Sequence, residues 1–216
     1  MKKNEKKAIN KKGKSRRSFL ELALTGTAAV SALSLGLTKD LYAAPSGPIV
    51  IGHQCELTGG FSSWGYWHDK CAKAAIKIIN EGGGIAGRKV ELAIEDTESN
   101  PAAGSRKLRS LIERRKASFV VGSVHSGIML ASIPIATELK TPYFSAGEAT
   151  EATGSKGSRY SFRTGTDTYA LAAAGAPWAY KNLGKTWTMI FPDYAWGHSH
   201  YQEHKKIIEK MGGKVN

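Results

Sequence analysis

Three histidines and a glutamate crowd the stretch Trp196–His204, where His200-Tyr201-Gln202-Glu203-His204 fits H-x-x-E-H, a spacing used by one group of zinc peptidases. Residues four apart on a helix share a face, so His200 and His204 could reach one metal ion, with His198 as a third donor. A catalytic zinc needs a further protein ligand of fixed geometry, and the spacing supplies none that is convincing. The same segment carries Lys205, Lys206 and Lys210, the composition of a solvated helix face. A zinc-dependent hydrolase using His200, Glu203 and His204 is therefore the minor reading, and neither a metal nor a cofactor is assigned.

A second candidate is the glycine cluster in Asn80–Pro101, NEGGGIAGRKVELAIEDTESNP. A loop that cradles phosphate places its glycines after a strand and ahead of a helix, whose N–H groups then face the anion. Here the order is reversed. Ala72, Ala75, Ile76 and Ile79 form the stripe of a helix, while Val90, Leu92 and Ile94 alternate with Lys89, Glu91 and Glu95 as in a strand. Gly82–Gly84 thus follow a helix C-terminus, where outward carbonyls repel phosphate. That polarity argues against a nucleotide site. No Gly-x-Ser-x-Gly elbow is present, and no Cys–His pair is indicated by position. The chain reads as non-enzymatic.

Charge narrows the partners. Of the formal +13 carried by 216 residues, residues 1–44 hold ten Lys/Arg and three Asp/Glu, a net +7, which leaves +6 for the rest. A basic excess concentrated in a leader is poor support for nucleic-acid binding, and no nucleic-acid partner is expected. The leader passes from a Lys-rich start through Ser15-Arg16-Arg17-Ser18-Phe19-Leu20-Glu21 and a weakly apolar Leu22–Leu37 to Leu41-Tyr42-Ala43-Ala44. The final four suit signal peptidase, with cleavage after Ala43 or Ala44. The Arg pair followed by Phe-Leu is similar to the twin-arginine (Tat) signal, which makes the Tat export machinery an expected partner and the periplasm the expected compartment. The apolar run is short and polar for a membrane span, with an uncleaved anchor as the alternative. Cys55 and Cys71 read as two buried free thiols; a disulfide, which export would permit, is the other possibility.

The elements that must position any site alternate along residues 45–216. Strands are predicted at Ile49–Gly52, Lys89–Glu95, Ser118–Gly122, Pro142–Ser145, Tyr160–Arg163 and the apolar Trp187–Phe191. Helices are predicted at Trp64–Asn80, from Asn100-Pro101 through Ile112, at Ser126–Leu139 with a bend at Pro134, at Ala170–Leu183 after an Asp167 cap, and at Ser199–Met211. Lys214–Asn216 begins one more strand, for which no partner is expected. Strand–helix–strand repetition implies parallel sheets with helices on both faces.

Several landmarks together carry a resemblance. They are Pro48–Gly52 with Leu57-Thr58-Gly59-Gly60 and Ser63-Trp64-Gly65; Ile79–Gly87; Glu95-Asp96; Val121-Gly122-Ser123-Val124-His125-Ser126; and Tyr160–Thr164. From Pro48 to the end the chain resembles the periplasmic substrate-binding proteins of ABC importers, of the branched-chain amino acid (leucine-binding) type. Members are about twice as long, so the match is to an amino-terminal half. The resemblance implies an α/β, type I periplasmic-binding-protein-like fold: a first lobe over residues 45–166 and the truncated start of a second over 167–216. It implies capture of a small amino acid, amide, urea or organic acid between lobes and delivery to an ABC permease in the inner membrane. A sensor ectodomain or regulator with the same fold is the alternative.

The resemblance also implies a site. Ser126 matches the serine that holds a ligand carboxylate; it also follows a strand and opens a helix, where its hydroxyl and nearby N–H groups would face an anion. Trp64 and Trp196 match aromatics that close the pocket from either lobe. Gly147 and Thr150, in Ser145-Ala146-Gly147-Glu148-Ala149-Thr150, match a backbone carbonyl and a threonine offered to the ligand ammonium, although Glu148 makes this loop one residue longer than the usual pattern.

Overall fold

The computed structural model describes residues 47–216, so the expected export signal and cleavage site lie outside the described residues. The chain runs β1 (Ile49–Cys55), α1 (Ser62–Glu81), β2 (Val90–Asp96), α2 (Pro101–Glu113), β3 (Phe119–Gly122), α3 (Ser126–Glu138), β4 (Tyr143–Ser145) and β5 (Ser161–Arg163). It continues with α4 (Thr168–Asn182), β6 (Thr186–Trp187), α5 (Ala195–Lys210) and β7 (Lys214–Val215). The first five strands form one parallel sheet in the order β2-β1-β3-β4-β5. The interior strand β1 sets Ile49–Cys55 against Val90–Asp96 on one side and Ile51–Gln54 against Phe119–Gly122 on the other.

Alternation along β1 divides the helices between the two faces. Gln54 reaches the Gly104 carbonyl of α2 at 2.7 Å and Ser132 Oγ of α3 at 3.0 Å. Its neighbour Cys55 points the other way and donates its thiol to the Gly65 carbonyl of α1 at 3.3 Å. Gly65 has no room for a side chain, because an added Cβ would lie 1.9 Å from the Glu56 carbonyl oxygen. On the opposite face Leu108, Leu111, Met129 and Ile133 pack over Val120 and Tyr143. Each large apolar side chain so buried contributes about 1.5–3 kcal/mol.

Helix ends follow from local chemistry. The Asn100 side chain accepts from the Ala102 and Ala103 amides at 2.9 and 3.0 Å, with Pro101 as the first helical residue. Asp167 accepts from Ala170 N at 2.7 Å. Helix α1 stops at the glycine cluster, where Gly83 and Gly84 take φ of 97° and 78°. Just before that stop, Asn80 Oδ1 accepts from Val90 N at 2.8 Å and its Nδ2 donates to Val90 O at 2.9 Å, on the edge strand β2.

Several expectations are corrected. β1 continues three residues past Gly52, because polar His53 and Gln54 find partners inside the fold and do not end the strand. The helix predicted to open at Ser126 does so, with His125 as its cap, the Nδ1 accepting from Ile128 N at 3.3 Å. The apolar Trp187–Phe191 yields only a two-residue strand, and Ile190 is fully exposed. Lys214–Val215 does have a partner: it pairs in parallel with Thr186–Trp187. Helix α5 starts at Ala195, four residues early, since Trp196 and His198 turn inward or pair locally and do not break it. Both cysteines are free, but Cys71 is exposed on α1 where two buried thiols were expected. Among the described residues, no helix is long and apolar enough to cross a membrane.

Candidate functional site

A parallel sheet sends the carboxyl ends of its strands to one edge, and the loops leaving them converge there. Phe61 after β1, Val124 after β3, Ala146 and Glu148 after β4, and Thr164 after β5 all reach one cavity of about 490 Å³. Trp64 and His68 of α1 and Tyr194 and Trp196 at the start of α5 complete its wall. This volume suits a small metabolite. The aromatic wall is continuous: Phe61 meets Tyr194 edge-on at 5.5 Å, and Tyr194 stacks on Trp196 at 6.2 Å. Trp64 stays 58% exposed, its ring free for contact.

The loop after β4 carries the cavity's acid. Trp196 Nε1 donates to Glu148 Oε2 at 2.7 Å, a contact that joins α5 to the first sheet's loops. The Glu148 carbonyl accepts from Arg163 Nη1 and from Thr168 N, each at 2.9 Å. Its amide and that of Ala149 donate to Ser126 Oγ at 3.0 and 3.2 Å. Burial lifts the Tyr194 phenol above its ordinary range, and the Glu148 carboxylate adds to the shift. Burial also lowers His68, which keeps that ring neutral near pH 7.

These contacts revise the expected site. Trp64 and Trp196 both line the cavity. Ser126 does not line it: the residue is buried, and its hydroxyl oxygen serves two loop amides, not an incoming anion. Gly147 is buried against Met129, whose side chain would lie 3.0 Å from an added Cβ. Thr150 faces neither loop opening nor cavity; its Oγ1 meets Thr168 Oγ1 at 2.8 Å and accepts from Tyr169 N at 2.9 Å. Ser126, Gly147 and Thr150 thus shape the loop that presents Glu148. Phe61, Glu148 and Tyr194 were missed as lining residues. The extra acidic residue in the loop was the signal available for Glu148.

Beneath the loops lies a buried polar network. Ser123 Oγ donates to Glu56 and accepts from His125 N, while Ser145 Oγ donates to Ser123 O at 2.7 Å. Burial pushes Glu56 up to about 7. The Tyr143 hydroxyl donates to Gln54 Oε1 at 2.6 Å, and burial raises it to about 12. A groove of about 520 Å³ runs along α2, where Lys107 pairs with Glu95 at 3.3 Å and Arg109 with Glu113 at 2.9 Å.

The His200 and His204 rings stay 5.5 Å apart on α5, but among the described residues no third ligand joins them. His204 Nδ1 lies 2.9 Å from the His200 carbonyl, His198 pairs with Asp193 at 2.7 Å, and the His200 ring sits edge-on to Trp196 at 4.3 Å. Among the described residues, no group of three His, Cys, Asp or Glu side chains is arranged to hold a metal ion.

A parallel sheet with helices on both faces and strand-end loops converging on one cavity is the architecture of the type I periplasmic binding fold. The profile of the periplasmic binding protein family matches residues 48–216, and the chain belongs to that family. The family is one of binding proteins, not enzymes. Leu/Ile/Val-binding protein homolog 3 of Brucella melitensis is 27% identical over 188 residues, 85% of this chain and 50% of that relative. An ABC-transporter solute binding protein of Rhodopseudomonas palustris BisB5, solved with 3,4-dihydroxybenzoic acid, is 27% identical with a TM-score of 0.68. That match covers 78% of this chain and 46% of the other. A leucine binding protein of Thermotoga maritima is 27% identical at a TM-score of 0.67, over 78% and 47%. The chain therefore spans about half the length of the relatives it matches.

Proposed function

We propose that the protein is the extracytoplasmic solute-binding component of an ABC importer, exported through the Tat pathway to the periplasm. It takes a small amino acid, amide, urea or organic acid into the cleft between two lobes and presents it to an inner-membrane permease. The observation that carries this reading is the cavity of about 490 Å³ where the strand-end loops meet the start of α5. Trp64 and Trp196 flank the solute, and Ser126, Gly147 and Thr150 act through the loop they hold. The solute favours the closed arrangement by binding it more tightly than the open one.

A solute that binds only the folded state stabilises it by about 2.7 kcal/mol at a hundred times its Kd. A thermal-shift screen of the full-length protein against amino acids, amides and aromatic acids is expected to find a class that raises Tm; silence across all classes would count against the reading. Ser126→Ala leaves the Glu148 and Ala149 amides without their acceptor. Solute affinity measured by calorimetry should fall while the fold is retained, and unchanged affinity would remove Ser126 from the site.

A further inference from the structure

One charge in the cleft has no counterion among the described residues. The Glu148 carboxylate is met by a neutral donor, the Trp196 indole N–H. The cavity wall contains no Lys or Arg among the described residues. Arg163 stands close in the chain, but its guanidinium is committed to the carbonyls of Glu148 and Ala149 and lies 3.7 Å from Asp167. Around the acid, Phe61, Trp64, Tyr194 and Trp196 contribute ring surface. Aromatic faces and a carboxylate both attract cations, and the same carboxylate repels the anionic end of an aromatic acid.

Resting on the solute-binding reading, we propose that Glu148 is the specificity-determining residue of this cleft: it selects solutes that insert a protonated amine or guanidinium, and it rejects aromatic carboxylates. The loop is built to aim it. Ser126 Oγ holds the amide of Glu148, Arg163 and Thr168 hold its carbonyl, and Trp196 orients its side chain. The acid is therefore in place before a solute arrives, and little ordering is left to oppose binding. The residue that lengthens the loop is the one that reads the solute's charge.

The test is calorimetry on the full-length protein with a panel of amino acids, amines and hydroxybenzoates. Solutes bearing a cationic amine or guanidinium should bind, and 3,4-dihydroxybenzoate should not. Glu148→Gln keeps an oxygen for the Trp196 N–H but removes the charge. It should weaken amine binding about 10- to 100-fold, the loss expected for a hydrogen bond to a charged group, with the ligand-free melting temperature unchanged. Tight hydroxybenzoate binding, or amine affinity untouched by Glu148→Gln, overturns the selection and leaves the solute-binding reading standing. A panel that yields no ligand of any class overturns that reading and this inference together.

Discussion

The two sheets among the described residues reach different degrees of burial. The five-stranded sheet has helices on both faces, and Gln54 of β1 and Glu56 just after it lie fully out of solvent within a hydrogen-bonded network. The β6–β7 pair is two residues long on each side and anchors a small cluster of Ala176, Ile208 and Val215. Around it Trp178, Leu183 and Ile190 remain 62%, 71% and 100% exposed. The cavity lies where these regions meet, so it receives a fixed wall from one and a set of aromatic side chains from the other.

The largest effect is expected where packing is densest. Gly65→Ala places a methyl 1.9 Å from the Glu56 carbonyl oxygen, an approach the two backbones cannot share. A loss of about 4 kcal/mol or more is expected, read as failed folding or a collapsed urea midpoint; a stable variant would show that α1 can lift from β1. The second effect concerns Glu56, whose carboxyl sits near 7 in the fold against 4.5 in a free chain. Between those values the native protein keeps a proton that the unfolded chain releases, so stability falls as pH rises through this window. Glu56→Gln should remove that fall, worth up to about 3 kcal/mol between pH 4.5 and 7. Urea titrations at pH 4.5 and pH 8 check it, and an unchanged difference between them would break the link to Glu56. The smallest effect lies in the looser region. Gly175 in α4 has nothing within 4 Å of an added Cβ, so Gly175→Ala should stabilise by about 0.5–1 kcal/mol. Destabilisation there would mean that the second region is as tightly packed as the first.

Most of the fold was legible because its signals are local. Asn100-Pro101 and Asp167 announce helix starts through side chains that accept neighbouring amides. The alternation in Val90–Glu95 and the apolar Phe119–Gly122 announce strands. The run Trp187–Phe191 misled for a physical reason: continuous apolar sequence reports the capacity for burial, whereas strand length depends on the pairing a strand finds. The cavity's lining was legible in part. Trp64 and Trp196 could be placed from their positions, but the direction of the Ser126 hydroxyl depends on a loop more than twenty residues later in sequence. No local pattern encodes that contact. Glu148 was visible as an extra residue, while its role needed the Trp196 indole that meets it from α5.

The Asn80 side chain presents both halves of an amide to Val90, as the backbone of an adjoining strand would. Since β2 is the outermost strand of the described sheet, this single residue fills the opening rung of its free edge. A second molecule seeking to extend the sheet there meets a seat already taken, so one side chain discourages the chain from templating its own aggregation.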